Sequence, residues 1–181
     1  EIIGSNYDRN RHYFLGHFFR DNYERWLSSL PLVTSGINVN RVEVYILNRT
    51  NNSESLRNFA AFTDLGEGRV ILKESNSQIG TGSGGPNDNS SNLLFSNLTS
   101  NAGLRDIDQV DNLLSSQFIF SKSLDYEKVT SARKLDTDEY EINKTLGYIS
   151  LLRRLQNDEV LAVSYEYTYN GERFKVGELT E

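Results

Sequence analysis

Between Arg11 and Pro31, in "RHYFLGHFFRDNYERWLSSLP", the residues Phe14, Leu15, Phe18, Phe19, Tyr23, Trp26, Leu27 and Leu30 recur at the spacing of one broad helical face. Gly16, His17, Arg20, Asp21, Glu24, Arg25 and Ser28 fall opposite them. This pattern predicts an amphipathic helix laid on a core, capped by Asn6 or Asp8 and ended by Pro31. In "RVEVYILN", Val42, Val44 and Ile46 alternate with Glu43, Tyr45 and Leu47, which predicts a strand. A polar turn, "NRTNNSES" over 48–55, comes next. "LRNFAAFTDLGEG" then carries a short apolar piece into a Gly-flanked turn, and "RVILKE" reads as another short strand.

Residues 75–92, "SNSQIGTGSGGPNDNSSN", are low-complexity Gly, Ser and Asn. Such a stretch buries too little apolar area to offset its ordering entropy, so a flexible loop is expected. Beyond it, Leu104, Ile107, Val110 and Leu114 have helical spacing, which fits one or two short helices. "QFIFSKSLDYEKVTSARKL" could be extended at each end. The last quarter holds four strand-like runs, "EYEIN", "LGYISL", "EVLAVSYEYTY" and "ERFKVGEL". In the third run, Leu161, Val163, Tyr165, Tyr167 and Tyr169 share one face. Asn170-Gly171, between the third and fourth runs, is a strong hairpin signal because both residues tolerate positive φ. The class is therefore α+β: an N-terminal amphipathic helix packed on antiparallel sheet, with a C-terminal β-meander or hairpin.

Composition narrows the function. At 181 residues the chain is expected to be a single domain, 1–181. A net charge of -6 with scattered Lys and Arg argues against nucleic-acid binding, which needs clustered cations. The absence of cysteine excludes disulfides, thiolate metal sites and a Cys nucleophile. No Met, no signal peptide and no run of about 18 apolar residues suggest a soluble piece excised from a longer polypeptide, without membrane insertion of its own.

Each candidate for chemistry has a plainer reading beside it. His12 and His17, five residues apart, are separated by roughly 140° around a helix, whereas two ligands on one face need i,i+4 spacing. His17 is expected to be solvated near Asp21, with His12 packed beside the apolar face; no metal is expected. Gly80, Gly82 and Gly85 fit G-x-G-x-x-G, but neither flank supplies the strand and helix that a dinucleotide fingerprint requires, so no cofactor is expected. "DTDEYE", Asp136 to Glu141, clusters carboxylates. Glu141 and Gly147 occupy the sixth and twelfth positions of a would-be calcium loop, where Gly and an acid belong, so a charged turn is the better reading. An envelope hydrolase using Asp136, Asp138 or Glu139 is a minor alternative, and no G-x-S-x-G places a serine nucleophile. The sequons at Asn48, Asn51, Asn89, Asn97 and Asn143 are what chance gives in a chain so rich in Asn, Ser and Thr.

Two long segments, Arg11 to Thr50 and Asp125 to Leu179, resemble the soluble domain of the SprA (Sov) family. The phrases that carry the resemblance are "HYFL..FFRDNY", "INVNRVEVYILN", "ARKL", "LGYISL" and "DEVLAVSYEYTYNG". SprA-like proteins are the outer-membrane translocon of type IX secretion in Bacteroidota, a very large β-barrel that exports folded cargo, including gliding adhesins. The resemblance implies a noncatalytic structural or interaction domain in the cell envelope, on the periplasmic or extracellular side. Its partners would be the parent β-barrel, other type IX components and secreted cargo. It brings no catalytic, cofactor-binding or metal residue with it. The competing expectation is a cell-surface carbohydrate-binding or adhesion module, built on an exposed Tyr165, Tyr167 and Tyr169 ladder.

Overall fold

The computed structural model describes residues 8–47, 56–73 and 75–180; Asn6 and the 48–55 segment lie outside them. The fold is α+β, with two antiparallel sheets and three α-helices among the described residues. A small sheet has the order β1-β6-β5, from His12–Phe14, Tyr148–Leu151 and Tyr140–Asn143. The larger sheet has the order β3-β4-β2-β7-β8, from Arg57–Phe62, Tyr126–Lys134, Ile37–Leu47, Leu161–Tyr169 and Glu172–Val176. The four strands of the last quarter thus form two hairpins in different sheets, β5–β6 and β7–β8. Asn170 and Gly171 make the second turn, both at positive φ as the sequence demands.

The first helix is shorter than its apolar spacing predicts. The chain runs as β1 through His12–Phe14, pairing with β6, before helix α1 begins at His17 and continues to Leu27. Arg11 reinforces the strand, its guanidinium donating to the carbonyls of Leu151 and Leu152. A remote partner strand therefore overrides a local helical pattern that would have continued through Tyr13 and Phe14.

Strands β2 and β7 form the spine. A register shift between Val39 and Arg41 sets Val39 opposite Tyr167 and Val42 opposite Tyr165, so the apolar face continues across the irregularity. That face packs against α1 and the small sheet in one core, where Phe19 is fully buried and meets Tyr165 and Tyr167 edge-on at 5.8 and 5.0 Å. A second core lies between β3, the start of β4 and a helical layer. That layer comprises α2 (Leu94–Ser100), a 3-10 turn (Ala102–Arg105) and α3 (Val110–Gln117). Val110 and Leu114, two of the periodic residues, are buried there.

Two further expectations are corrected. Arg69 to Lys73, the described part of "RVILKE", do not form a strand, because the buried Asp64 carboxylate accepts the backbone N–H groups of Ile71, Leu72 and Lys73 at 3.0–3.1 Å. Three successive donors turned to one carboxylate cannot also form a β ladder. The 75–92 segment, expected to be flexible for want of anchors, is held down by buried Ile79 and Asn87. Its backbone lies against the preceding turn, Gly84 N–H donating to Gly68 O at 2.7 Å and Asp88 N–H to Gly66 O at 2.9 Å. A Cβ on Gly68 would sit 1.9 Å from the Gly85 carbonyl oxygen, so these glycines serve close backbone approach. Among the described residues, no helix is long and apolar enough to cross a membrane.

Candidate functional site

The elements above meet around a cleft of about 600 Å³. Its walls are β3, the first half of β7 and the apolar side of the helical layer, including Phe95, Leu98 and Leu104. Arg105 stands at its edge and makes a bidentate ion pair with Glu178, at 2.6 and 2.9 Å, which joins the helical layer to the segment after β8. Exposed pairs of this kind contribute little stability, but two parallel bonds fix direction. The cleft mixes apolar and polar surface, its polar lining including Arg57, Asn58, Glu67, Ser164, Tyr165 and Glu178.

Glu67 belongs to a buried polar network at the start of α1. Its Oε1 accepts the backbone N–H of His17 at 3.2 Å, which satisfies a first-turn donor of a helix that lacks a side-chain N-cap of its own. His17 Nδ1 is 3.4 Å from the same oxygen. Asn87 donates from Nδ2 to the Tyr165 hydroxyl at 3.2 Å, accepts from Gly68 N–H, and receives the Tyr167 hydroxyl on its backbone carbonyl at 2.8 Å. Gly16 permits the convergence: a Cβ there would lie 2.1 Å from Asn87 Nδ2 and 3.0 Å from Glu67 Oε1. Burial raises the Glu67 pKa, an effect that His17 partly opposes. Burial likewise raises the Tyr165 hydroxyl well above its ordinary value. Glu67 Oε2 and Ser164 Oγ have no hydrogen-bond partner among the described residues.

A second buried carboxylate, Glu43, lies on the other face of β2. Lys134 Nζ and Arg41 Nη2 approach its Oε1 at 2.9 Å, and the Tyr45 hydroxyl donates to Oε2 at 3.0 Å. The backbone N–H and hydroxyl of Thr180 also donate to it, and Arg41 reaches the Thr180 carbonyl, so the last described residues are fastened across the sheet. Burial alone would raise this pKa, but the bonds from Thr180, Lys134 and Tyr45 win and hold it at about 2.

The two carboxylates bias acid stability in opposite directions. Glu43, with its folded pKa below the ordinary 4.5, contributes stability that is complete above about pH 4.5 and lost as pH falls towards about 2. Glu67, with its folded pKa above 4.5, binds its proton more tightly in the native state, so its contribution declines as pH rises from 4.5 through that raised value. Urea midpoints measured across this range should lose part of their acid-side slope in Glu43→Gln, the remainder coming from Asp88, Asp111, Glu139 and Glu178, whose pKa values are also lowered. Glu67→Gln should instead remove a decline on the alkaline side. An unchanged pH profile in Glu43→Gln would contradict the geometry around Thr180.

The candidates from the sequence are dispersed. His17 is not solvated beside Asp21, which pairs with Arg20; it faces Glu67 because α1 begins at that point. His12 is exposed rather than packed, its Nδ1 within 2.8 Å of Ser150 Oγ. Glu139 is in a bidentate pair with Arg133, while Asp136 contributes its backbone N–H to the same carboxylate. Gly80 and Gly82 adopt positive φ in the packed 75–92 segment, with Gly82 against the Gly68 backbone. Asn89 and Asn97 direct their side chains into protein hydrogen bonds, as does Asn143. Tyr165 and Tyr167 are 1% and 0% exposed, which removes the open aromatic face on which a sugar-stacking reading rested. Glu67 and Asn87, the centre of the network, carried no local signal beyond an acid held between two glycines and an Asn after Pro86. No three His, Asp or Glu side chains among the described residues group as metal ligands. No protein-family model matches the chain, and no curated protein is significantly similar to it.

Proposed function

We propose that the chain is a noncatalytic structural and interaction domain of a SprA-like outer-membrane translocon for type IX secretion. The observation that carries the reading is where the SprA-like phrases fall. "HYFL..FFRDNY" supplies β1 and α1, and "INVNRVEVYILN" supplies β2. "ARKL" ends β4, "LGYISL" contains β6, and "DEVLAVSYEYTYNG" contains β7 and its turn. The resemblance thus coincides with the strands and helix that make the framework, and little of it lies in the helical layer beside the cleft. The partners in this reading are the parent barrel, other type IX components and passing cargo in the cell envelope.

Gly171→Val in the full-length gene tests it. Gly171 has φ of +89°, which a β-branched residue resists, so the substitution disturbs the β7–β8 hairpin. Cells carrying it should accumulate type IX cargo in the periplasm and lose surface adhesins. Normal secretion after deletion of the whole 1–181 region, with the barrel still assembled, would defeat the reading.

A further inference from the structure

The cleft is bounded by two strand edges that lack main-chain partners among the described residues. Strand β3 is the outer strand of its sheet, and among the described residues no main-chain hydrogen bond reaches its far side. Strand β8 stops opposite Tyr165, so Leu161 to Ser164 pair with β2 alone. Every residue of β3 lines the cleft, as does every residue from Leu161 to Tyr165. Successive side chains of a strand point to opposite faces, so an opening lined by consecutive residues lies along the strand's edge rather than on one face. The irregularity in the β3–β4 pairing leaves β3 itself usable. The one extra residue is on β4, where Ser131 has positive φ and donates its N–H to Asn58 Oδ1.

Natural sheets blunt open edges with Pro, inward charges or a covering segment. No Pro occurs in β3 or in Leu161–Tyr169. The cleft, whose lining mixes apolar side chains with Arg57, Asn58, Arg105 and Glu178, instead holds two buried polar atoms without partners among the described residues, Glu67 Oε2 and Ser164 Oγ. Glu67 Oε1 already accepts the His17 N–H, which leaves Oε2 to take a further donor; of the two arginines in the lining, Arg57 and Arg105, the second is engaged by Glu178.

We propose that this cleft binds an extended peptide, which adds as a strand along the free edge of β3 and directs a Lys or Arg side chain to Glu67. Main-chain bonds to the edge provide affinity that is independent of sequence, and the buried carboxylate provides selection for a basic side chain. The inference stands apart from the translocon reading, because it concerns binding by the 181-residue chain itself.

Three probe peptides test it: acetyl-Thr-Val-Lys-Val-Thr-Val-amide, the same peptide with Glu for Lys, and the Lys peptide N-methylated at alternate residues. The Lys peptide should slow amide exchange in Ala60–Phe62 and Leu161–Ser164, and it should bind about tenfold more tightly than the Glu peptide. The N-methylated peptide, which keeps the side chains but loses edge pairing, should give no protection. Glu67→Gln should erase the preference for Lys over Glu. Ala61→Trp, which fills the cleft without touching the α1 cap, should abolish binding and serves as the test if Glu67→Gln does not fold. Absence of protection in β3, equal binding by the N-methylated peptide, or undiminished binding by folded Ala61→Trp would each overturn the proposal.

Discussion

Replacing residues 76–91 with a short Gly-Ser linker lowers the thermal midpoint by more than about 10 °C, despite a composition that suggests a dispensable loop. The replacement removes Ile79, which is 1% exposed in the second core, and removal of such a side chain costs about 2–5 kcal/mol. It also removes Asn87, whose loss leaves the buried Tyr165 and Tyr167 hydroxyls without their partners, at about 1–3 kcal/mol. In a chain of this size each kcal/mol moves the midpoint by about 2–4 °C, so even the lower ends of these costs give a clear loss. Calorimetry on the linker variant decides the matter, and a midpoint within about 3 °C of the parent would show that the segment does not pack as described. Gly68→Ala is a single-residue version, since its Cβ would collide with the Gly85 carbonyl.

Phe19→Ala destabilises the protein by about 3–5 kcal/mol, read from the shift in urea midpoint at constant slope. Phe19 has no exposed surface and fills the junction of α1, Tyr165 and Tyr167. The edge-on ring contacts add to the loss of buried area. Trp26→Ala, at 2% exposure, belongs in the same range. Phe18→Ala should cost less, because that ring is only half-buried. Equal costs for Phe18 and Phe19 would mean that α1 is rotated from the orientation described.

The parts of the fold legible in the sequence are those whose signal is local. The alternation in Val42 to Leu47 and Leu161 to Tyr169, with Asn170-Gly171 after it, identifies β2, β7 and the final hairpin because strand period and turn chemistry act within a few residues. The parts that were not legible depend on distant partners. His12 to Phe14 is a strand because β6 lies beside it, and Arg69 to Lys73 is not one because Asp64 captures its donors. The tyrosine ladder shows how orientation can be misjudged while the strand is identified. The face opposite it carries Ala162, Ser164, Glu166 and Thr168, and this contrast marks the aromatic face as the inner one. Of the candidate site, the sequence singles out His17 and Tyr165. Glu67 meets His17 and Asn87 meets Tyr165 from separate segments, and no spacing rule links them.

The central strand of the larger sheet has a kinetic consequence. β2 ends at Leu47, but its neighbours β4 and β7 do not begin until Tyr126 and Leu161. A chain that emerges N-terminus first therefore holds this central strand unpaired on both edges while most of the sequence is still to come. Closing loops of that length precedes any reward from pairing, which makes folding slow and leaves the intermediate prone to association with other chains. Productive folding of this chain then depends on what shields Val42, Val44 and Ile46 during the wait, so a chaperone that holds extended apolar segments would raise its yield more than one that accelerates local steps.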